Sequence, residues 1–192
     1  MLVNNEETAD RKVQFGLAMR RADQVAQQAQ AIEQLGYDYA TTGEHVFFHV
    51  PCSNAFISLA VAAGATTNLK LMSTITLLPL YPAVLAAKQA AALDVASGGR
   101  FHMGIGVGGE LPREFEASGV PVSERGARTN EALEIMKLLF SEDDVHFDGT
   151  AIEPTVTWGI TPGQGISIKE KIPNPEILPK NEQQIAKDAC KY

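Results

Sequence analysis

The chain has 192 residues with a hydrophobic fraction of 45% and a charged fraction of 20%, which suffices for one well-cored globular domain. Its net charge of −7 argues against a nucleic-acid partner, because another polyanion would repel it. No apolar run has the length of a membrane span, and the acidic start MLVNNEETAD lacks the pattern of a signal peptide. Two distant cysteines, Cys52 and Cys190, indicate a reducing compartment without a disulfide framework or metal site. We therefore expect a cytoplasmic protein.

Apolar runs alternate with amphipathic segments through the first 140 residues. The patterns predict strands over 13–19, 37–42, 69–78 and 100–109, and helices over 22–35, 53–63, 83–96 and 129–140. Ser53 or Asn54 is a candidate helix cap, and Gly98 is a natural helix stop. Four strand–helix units in a row predict an α/β protein with a parallel sheet, either open or closed into a barrel.

The composition changes after residue 153. The segment 154–192 mixes Pro, Gly and Thr and shows little periodicity, with at most a brief strand at 166–168 and a short helix over 181–190. We therefore predict two regions, the βα units over 1–153 and an irregular tail over 154–192.

The end of the second predicted strand carries the best candidates for acid–base chemistry. Sites in parallel α/β proteins lie at the carboxyl ends of the strands, where Glu44 and His45 stand. Histidine titrates near neutrality, and a neighbouring carboxylate can orient its ring. The alternative is an ordinary polar strand end with capping contacts.

The fourth predicted strand runs into glycines. Gly104, Gly106 and Gly109 satisfy the G-x-G-x-x-G dinucleotide pattern, with Glu131 at about the spacing of a ribose ligand, as in a Rossmann-type NAD protein. That pattern belongs at the first strand–helix turn, so we favour a strand end where a ligand lies against bare backbone. Ser73, Thr74 and Thr76 either contact a ligand or reflect the β-propensity of such residues.

Several blocks of the sequence together resemble the bacterial luciferase-like monooxygenase superfamily and, within it, the F420-dependent oxidoreductases. The blocks, in order, are Gly36-Tyr37-Asp38, Glu44-His45, the segment DVASGGRF at 94–101, the segment GIGVGG at 104–109, Glu114-Phe115, Gly119-Val120-Pro121, and the segment RGAR at 125–128 followed by Glu131. The resemblance covers about residues 13–149 and is carried most specifically by the blocks at 94–109.

The resemblance implies a TIM (β/α)8-barrel fold and F420, or alternatively FMN, as cofactor. It implies that His45 lies near the reactive ring with Glu44 in the acidic place before it. It places Thr74 and Ile75 in a third-strand segment that commonly contains a bulge or a non-proline cis peptide. The predicted cofactor contacts are Ser73, Thr74, Ile75, Thr76, Val107, Gly108 and Gly109, and no metal is predicted.

The function implied is an oxidoreductase that transfers a hydride between F420 or FMN and a small organic substrate, or a monooxygenase that uses oxygen. Four βα units are only half of such a barrel, so the alternative is a non-catalytic half-barrel that acts through association. A half-barrel leaves two open edges, and Leu71, Ile75, Met103 and Ile105, or their neighbours of opposite parity, become exposed. We therefore expect a homo-oligomer or association with a complementary half-barrel.

Overall fold

The computed structural model describes residues 13–141, 145, 147 and 149–152. The strands are β1 (Gly16–Ala18), β2 (Tyr39–Thr42), β3 (Lys70–Ser73), β4 (Thr76–Leu77), β5 (Phe101–His102) and β6 (Ile105–Gly106). The helices are α1 (Val25–Gln34), α2 (Ala55–Ala65), α3 (Ala83–Ser97), α4 (Pro112–Ala117) and α5 (Arg125–Ser141), with 3-10 turns at Ala22–Gln24, Leu78–Leu80 and Val122–Glu124.

All strand pairs are parallel, and their spatial order follows the chain. One sheet has the order β1-β2-β3-β5, and β4 pairs with β6 in a short second sheet. The third and fourth predicted strands are therefore each interrupted once, which leaves four strand tracks. The structure confirms the predicted α/β class, in the form of a truncated (β/α) barrel. The Rossmann-type alternative is wrong, because that fold reverses its strand order near the first strand and this sheet does not.

Local sequence signals place the helix ends close to the predicted positions. The side chain of Asn54 accepts a hydrogen bond of 3.1 Å from the Ile57 amide and caps α2. Gly98 ends α3 in the left-handed conformation, with a φ of 68°. Helix α5 begins at Arg125, four residues before the predicted start, because the turn at Val122–Glu124 leads straight into it.

The core lies between the strands and the row of helices. Ala40, Leu71 and Ala86 are completely buried there, and the small alanines let helix and sheet approach closely. Side chains of opposite parity, such as Lys70 and Met72, face the other side and are half-buried. The Lys70 ammonium lies 5.3 Å from the centre of the Tyr39 ring. On β3 the uncovered face is therefore the one that carries Lys70 and Met72, and it is more polar than an all-apolar sheet would be.

Several predictions fall outside the described residues: the strand at 166–168, the helix over 181–190 and the tail as a whole. Val145 and Phe147 belong to no strand. None of the helices in the described part of the chain is long and apolar enough to cross a membrane.

Candidate active site

A cavity of about 620 Å³ opens at the carboxyl ends of the strands. Its walls come from the segments that follow β1, β2, β3 and β6, so every strand track contributes to it. Among the predicted site residues, the lining includes Glu44, His45, Thr74, Ile75, Gly108 and Gly109. Its size lies in the usual range for small-molecule sites.

Glu44 is buried and serves as an acceptor for groups from three segments. Its Oε2 accepts hydrogen bonds from the Asn54 side chain (3.0 Å), the Ala55 amide (3.0 Å) and the Tyr81 hydroxyl (2.8 Å). Its Oε1 accepts one from the Leu77 amide (2.9 Å). The carboxylate thus joins the end of β2 to the start of α2 and to β4. These contacts are those of a residue that positions neighbouring segments. A direct role of Glu44 in proton transfer stays a prediction.

Burial, together with the adjacent Glu44 carboxylate, raises the pKa of Tyr81 well above its usual range. The hydroxyl therefore remains a hydrogen-bond donor, which is what the carboxylate needs.

His45 is held from its Nδ1 side by a second buried carboxylate. The Nδ1 atom lies 3.2 Å from both Oε1 and Oε2 of Glu114, whose side chain is only 2% exposed. Glu114 Oε1 also accepts hydrogen bonds from the amides of Val46 (2.6 Å) and Phe47 (3.1 Å). A carboxylate can only accept, so Nδ1 carries the proton in this pair. Nε2 has no partner within the described residues.

One face of the His45 ring is covered by Phe48. The two rings are almost parallel, at 3°, with their centres 4.2 Å apart. Both residues line the cavity. Phe48 and Glu114 together restrict the rotation of the imidazole ring, and the ring keeps about a quarter of its side-chain surface exposed.

The interruption between β3 and β4 lies in the cavity wall. The peptide bond between Thr74 and Ile75 is cis, as the family resemblance implied for this segment. The Thr74 amide donates to the Thr42 carbonyl (2.7 Å), and Ile75 keeps 38% of its surface exposed. The segment thus offers an apolar side chain and a bare backbone to a ligand.

Three predicted cofactor contacts do not line this cavity. The Ser73 hydroxyl exchanges two hydrogen bonds of 2.9 Å with the backbone of Gly104. Thr76 is fully buried in β4, and Val107 is exposed to solvent beside the glycines. A role of these residues toward a cofactor stays a prediction.

The glycines of the fourth track also have a reason within the chain. A Cβ at Gly104 would collide with the Ser73 carbonyl oxygen, and one at Gly106 would collide with the Ile75 side chain. Close approach to the third strand track therefore requires glycine at Gly104, where the obstacle is backbone, whereas a larger residue at Gly106 would displace the Ile75 side chain. Glu131, weighed above as a ribose ligand, instead accepts hydrogen bonds from the amides of residues 150–152.

Two further side chains at the cavity bear on its chemistry. Partial burial raises the pKa of the Cys52 thiol, which makes it a weak nucleophile at neutral pH. Ser58 is buried, and its hydroxyl has no hydrogen-bond partner within the described residues. An unpaired hydroxyl at a cavity wall is a ready partner for a polar ligand atom.

Comparison with known proteins identifies the family. A model of the luciferase-like monooxygenases matches residues 5–173. The chain belongs to this family.

Solved structures of the same fold agree with this assignment. A monooxygenase from Streptomyces bottropensis is 29% identical with a TM-score of 0.64, over 70% of this chain and 41% of that one. An F420-dependent secondary alcohol dehydrogenase bound to an F420–acetone adduct is 24% identical with a TM-score of 0.67, over 81% and 51%. The chain thus spans about half, or less, of the length of these luciferase-like proteins.

A different likeness covers a smaller part of the chain. The 3-isopropylmalate dehydratase large subunit of Prochlorococcus marinus strain NATL1A is 64% identical over 74 residues. This match takes in 35% of the present chain and 16% of the dehydratase subunit.

Sequence reasoning found the two strand-end residues but missed Glu114 as a site residue. Glu114 appeared only in a short helical turn and as one of the family blocks. It lies 69 positions after His45, so only the folded chain brings the two together. Phe48 and Ser58 carried no sequence signal beyond their nearness to Glu44 and Asn54.

Proposed function

We propose that this luciferase-like chain is an oxidoreductase that transfers a hydride between F420, or alternatively FMN, and a small organic substrate. The observation that carries the proposal is His45, a residue of the cavity wall whose Nδ1 is bound by Glu114 while its Nε2 has no partner within the described residues. F420 is placed first because the sequence blocks resemble the F420-dependent oxidoreductases within the superfamily.

The residues at the cavity fit a flat ring system. Ile75 offers an apolar side chain, Gly108 and Gly109 offer bare backbone, and the Ser58 hydroxyl is unpaired and buried. We propose that these four residues, with Thr74, hold the ring. A bound deazaflavin or flavin supplies or accepts the hydride.

His45 acts on the proton that accompanies the hydride. When an alcohol carbon loses a hydride, its hydroxyl loses a proton, and Nε2 of His45 accepts that proton. In the reverse direction the same atom returns the proton to the carbonyl oxygen. Glu114 keeps Nδ1 protonated and stabilises the imidazolium that forms, while Glu44 fixes the strand end from which His45 extends.

Oxygen use is the second candidate, and the 29%-identical Streptomyces monooxygenase favours it. In that case FMN is the cofactor and a small organic substrate is oxygenated. We propose no dehydratase activity for this chain, because it spans only 16% of the length of the dehydratase subunit.

The first test is cofactor binding. F420 and FMN are titrated separately into the purified chain, and binding is followed through the absorbance and fluorescence of each cofactor. We expect micromolar or tighter binding of F420, or of FMN if the oxygen-using alternative is correct. If neither cofactor binds, the proposal is wrong.

The second test is substitution of the proposed acid–base residue. His45→Ala is expected to lower turnover by about 10²- to 10⁴-fold while the affinity for the cofactor changes little. The matched control is His49→Ala, four residues on in the same loop, whose exposed ring packs on Phe48, with centres 4.0 Å apart, and has no carboxylate partner within the described residues. Equal losses in the two variants would show that loop integrity, and not proton transfer, sets the rate.

A further inference from the structure

We propose that the open edges of this half-barrel are closed by a second copy of the same chain, so that two copies form one barrel of eight strand tracks with the cavity between them. The proposal concerns assembly and stands independently of the cofactor.

The first observation is the free edge at β1. This strand is the outermost of its sheet, and all three of its residues are exposed. Its outer side has no strand partner within the described residues. The opposite edge is formed by β5 and β6, so the described residues leave one edge at β1 and one at the fourth strand track without a strand partner.

The second observation is an apolar stripe on β1 and the residues before it. Leu17 pairs in register with Ala40, so the two side chains lie on the same, helix-covered face of the sheet. Ala40 is fully buried, whereas Leu17 is 41% exposed. Val13 (74% exposed) and Phe15 (64% exposed) continue the stripe at alternate positions. The helix layer that covers β2 and β3 therefore does not extend over the outer half of β1.

The third observation is the order of the helices. Helix α1 packs against α2, α2 against α3, and α3 against α5. Helices α1 and α5 thus lie at the two ends of one row. Helix α5 follows the fourth strand track, so in a continued barrel it covers the junction with the next strand. Within the described residues no helix precedes β1, and α5 lies at the other end of the row.

These features are complementary to one another. A two-fold axis along the barrel axis keeps the direction of every strand, so β1 of one copy meets the fourth track of its partner in the parallel sense. The partner's α5 then lies over Val13, Phe15 and Leu17. The same contact forms twice, no edge remains, and eight tracks are the number that closes a barrel whose interior is filled by side chains.

Because the two-fold axis keeps the strand direction, a second copy places the carboxyl ends of its own strands on the open side of the cavity. Each copy carries a net charge of −7, so we expect the association to tighten as salt rises and screens the repulsion.

The test is the mass of the full 192-residue chain in solution, measured by size-exclusion chromatography with light scattering over a range of concentrations and at two salt concentrations. We expect the mass of two chains at tens of micromolar, tighter association at high salt, and binding of a hydrophobic dye only after dilution to the single chain. A single-chain mass at all concentrations without dye binding would show that another part of this chain covers the edge.

Substitutions then locate the interface. Leu17→Asp is expected to give the single-chain mass, whereas Leu17→Met keeps an apolar side chain and the two-chain mass. The control is Ile57→Asp on α2, which is 65% exposed and away from both edges. A two-chain mass that survives Leu17→Asp would overturn the proposal.

Hydrogen exchange on the unaltered chain gives the same answer without a variant. The amides of residues 13–19 are expected to exchange more slowly at high than at low protein concentration. Equal exchange rates at a concentration where two chains associate would place the interface elsewhere.

Discussion

The two ends of the parallel strands are both held by charged side chains that bind backbone groups, and at the carboxyl end one of these side chains also holds a histidine ring. At the carboxyl end, Glu44 accepts hydrogen bonds from the amides of Ala55 in α2 and Leu77 in β4, and Glu114 accepts one from the amide of Val46 in the loop after β2. At the amino end, the Arg100 guanidinium donates to the carbonyls of Ala63, Thr66, Leu69 and Ser97, at or just beyond the last turns of α2 and α3.

The signs of these charges follow from the helix and strand directions. Helices end at the amino end of the sheet, where free carbonyls attract a cation, and they begin at the carboxyl end, where free amides attract an anion. Glu33 completes the amino end by accepting from the amides of residues 67–69, and those bonds, led by the one from Asn68, lower its pKa. At the amino end Arg100 and Glu33 bind backbone groups, whereas at the carboxyl end Glu114 binds backbone amides and also holds the His45 ring, whose Nε2 has no partner within the described residues.

Glu44→Ala should have the largest effect on stability. It leaves the Ala55 and Leu77 amides, which are buried, and the Tyr81 hydroxyl without an acceptor. We expect a loss of about 3 kcal/mol in the free energy of unfolding, measured by denaturant titration. Glu116→Ala, at an exposed position of α4, is the control and should change it little. Equal losses would mean that the carboxyl end does not depend on this buried anion.

Arg100→Ala should rank second, with a loss of about 2 kcal/mol, because several carbonyls at the half-buried amino end lose a charged donor. Arg100→Lys should recover only part of this loss, since an ammonium lacks the planar fork that reaches several carbonyls at once. The exposed Arg113→Ala is the matched control. Full recovery by lysine would show that charge alone, and not the fork, holds the amino end.

Glu114→Gln should separate stability from activity. The glutamine side-chain oxygen can still accept the hydrogen bonds from the amides of Val46 and Phe47, so we expect a loss of only about 1 kcal/mol in the free energy of unfolding. The neutral amide no longer stabilises an imidazolium, so turnover should fall at least tenfold and its pH profile should shift. Nitrogen NMR of the His45 ring should also show the Nδ1–H form less populated. An unchanged profile and ring state would contradict the positioning role.

Glu131 should give the smallest effect and a specific pH dependence. Desolvation raises the pKa of this carboxyl, but the hydrogen bonds from Thr150, Ile152 and Ala151 outweigh it and lower the pKa from 4.5 to about 2. The contribution to stability is therefore complete above about pH 4.5 and is lost as the pH falls toward 2. Because the carboxyl is near solvent, we expect a modest change.

The measurement is the difference in unfolding free energy between the unaltered chain and Glu131→Gln at pH 6 and at pH 3.5. The difference should be larger at pH 6. A difference that is the same at both values would show that the carboxylate charge does not stabilise the 149–152 turn.

Much of the fold could be predicted because its signals are local. The alternation of apolar strands with amphipathic helices predicted four parallel tracks, Asn54 predicted the start of α2, and Gly98 predicted the end of α3. The blocks at 94–109 predicted the family. These signals depend on neighbours within one turn or one strand, so the sequence itself carries them.

The tertiary structure decided what depends on distant segments. Three contacts join residues from different strand tracks: His45 with Glu114, the Leu77 amide with the Glu44 carboxylate, and the Ile75 side chain with the backbone at Gly106. The exposed face of Leu17 likewise follows from its register with Ala40 and from the place of α1 in the helix row. Packing in three dimensions decides whether a polar group finds a hydrogen-bond partner. In this protein it engages both oxygens of Glu44, whereas Nε2 of His45, the atom proposed to act, has no partner within the described residues.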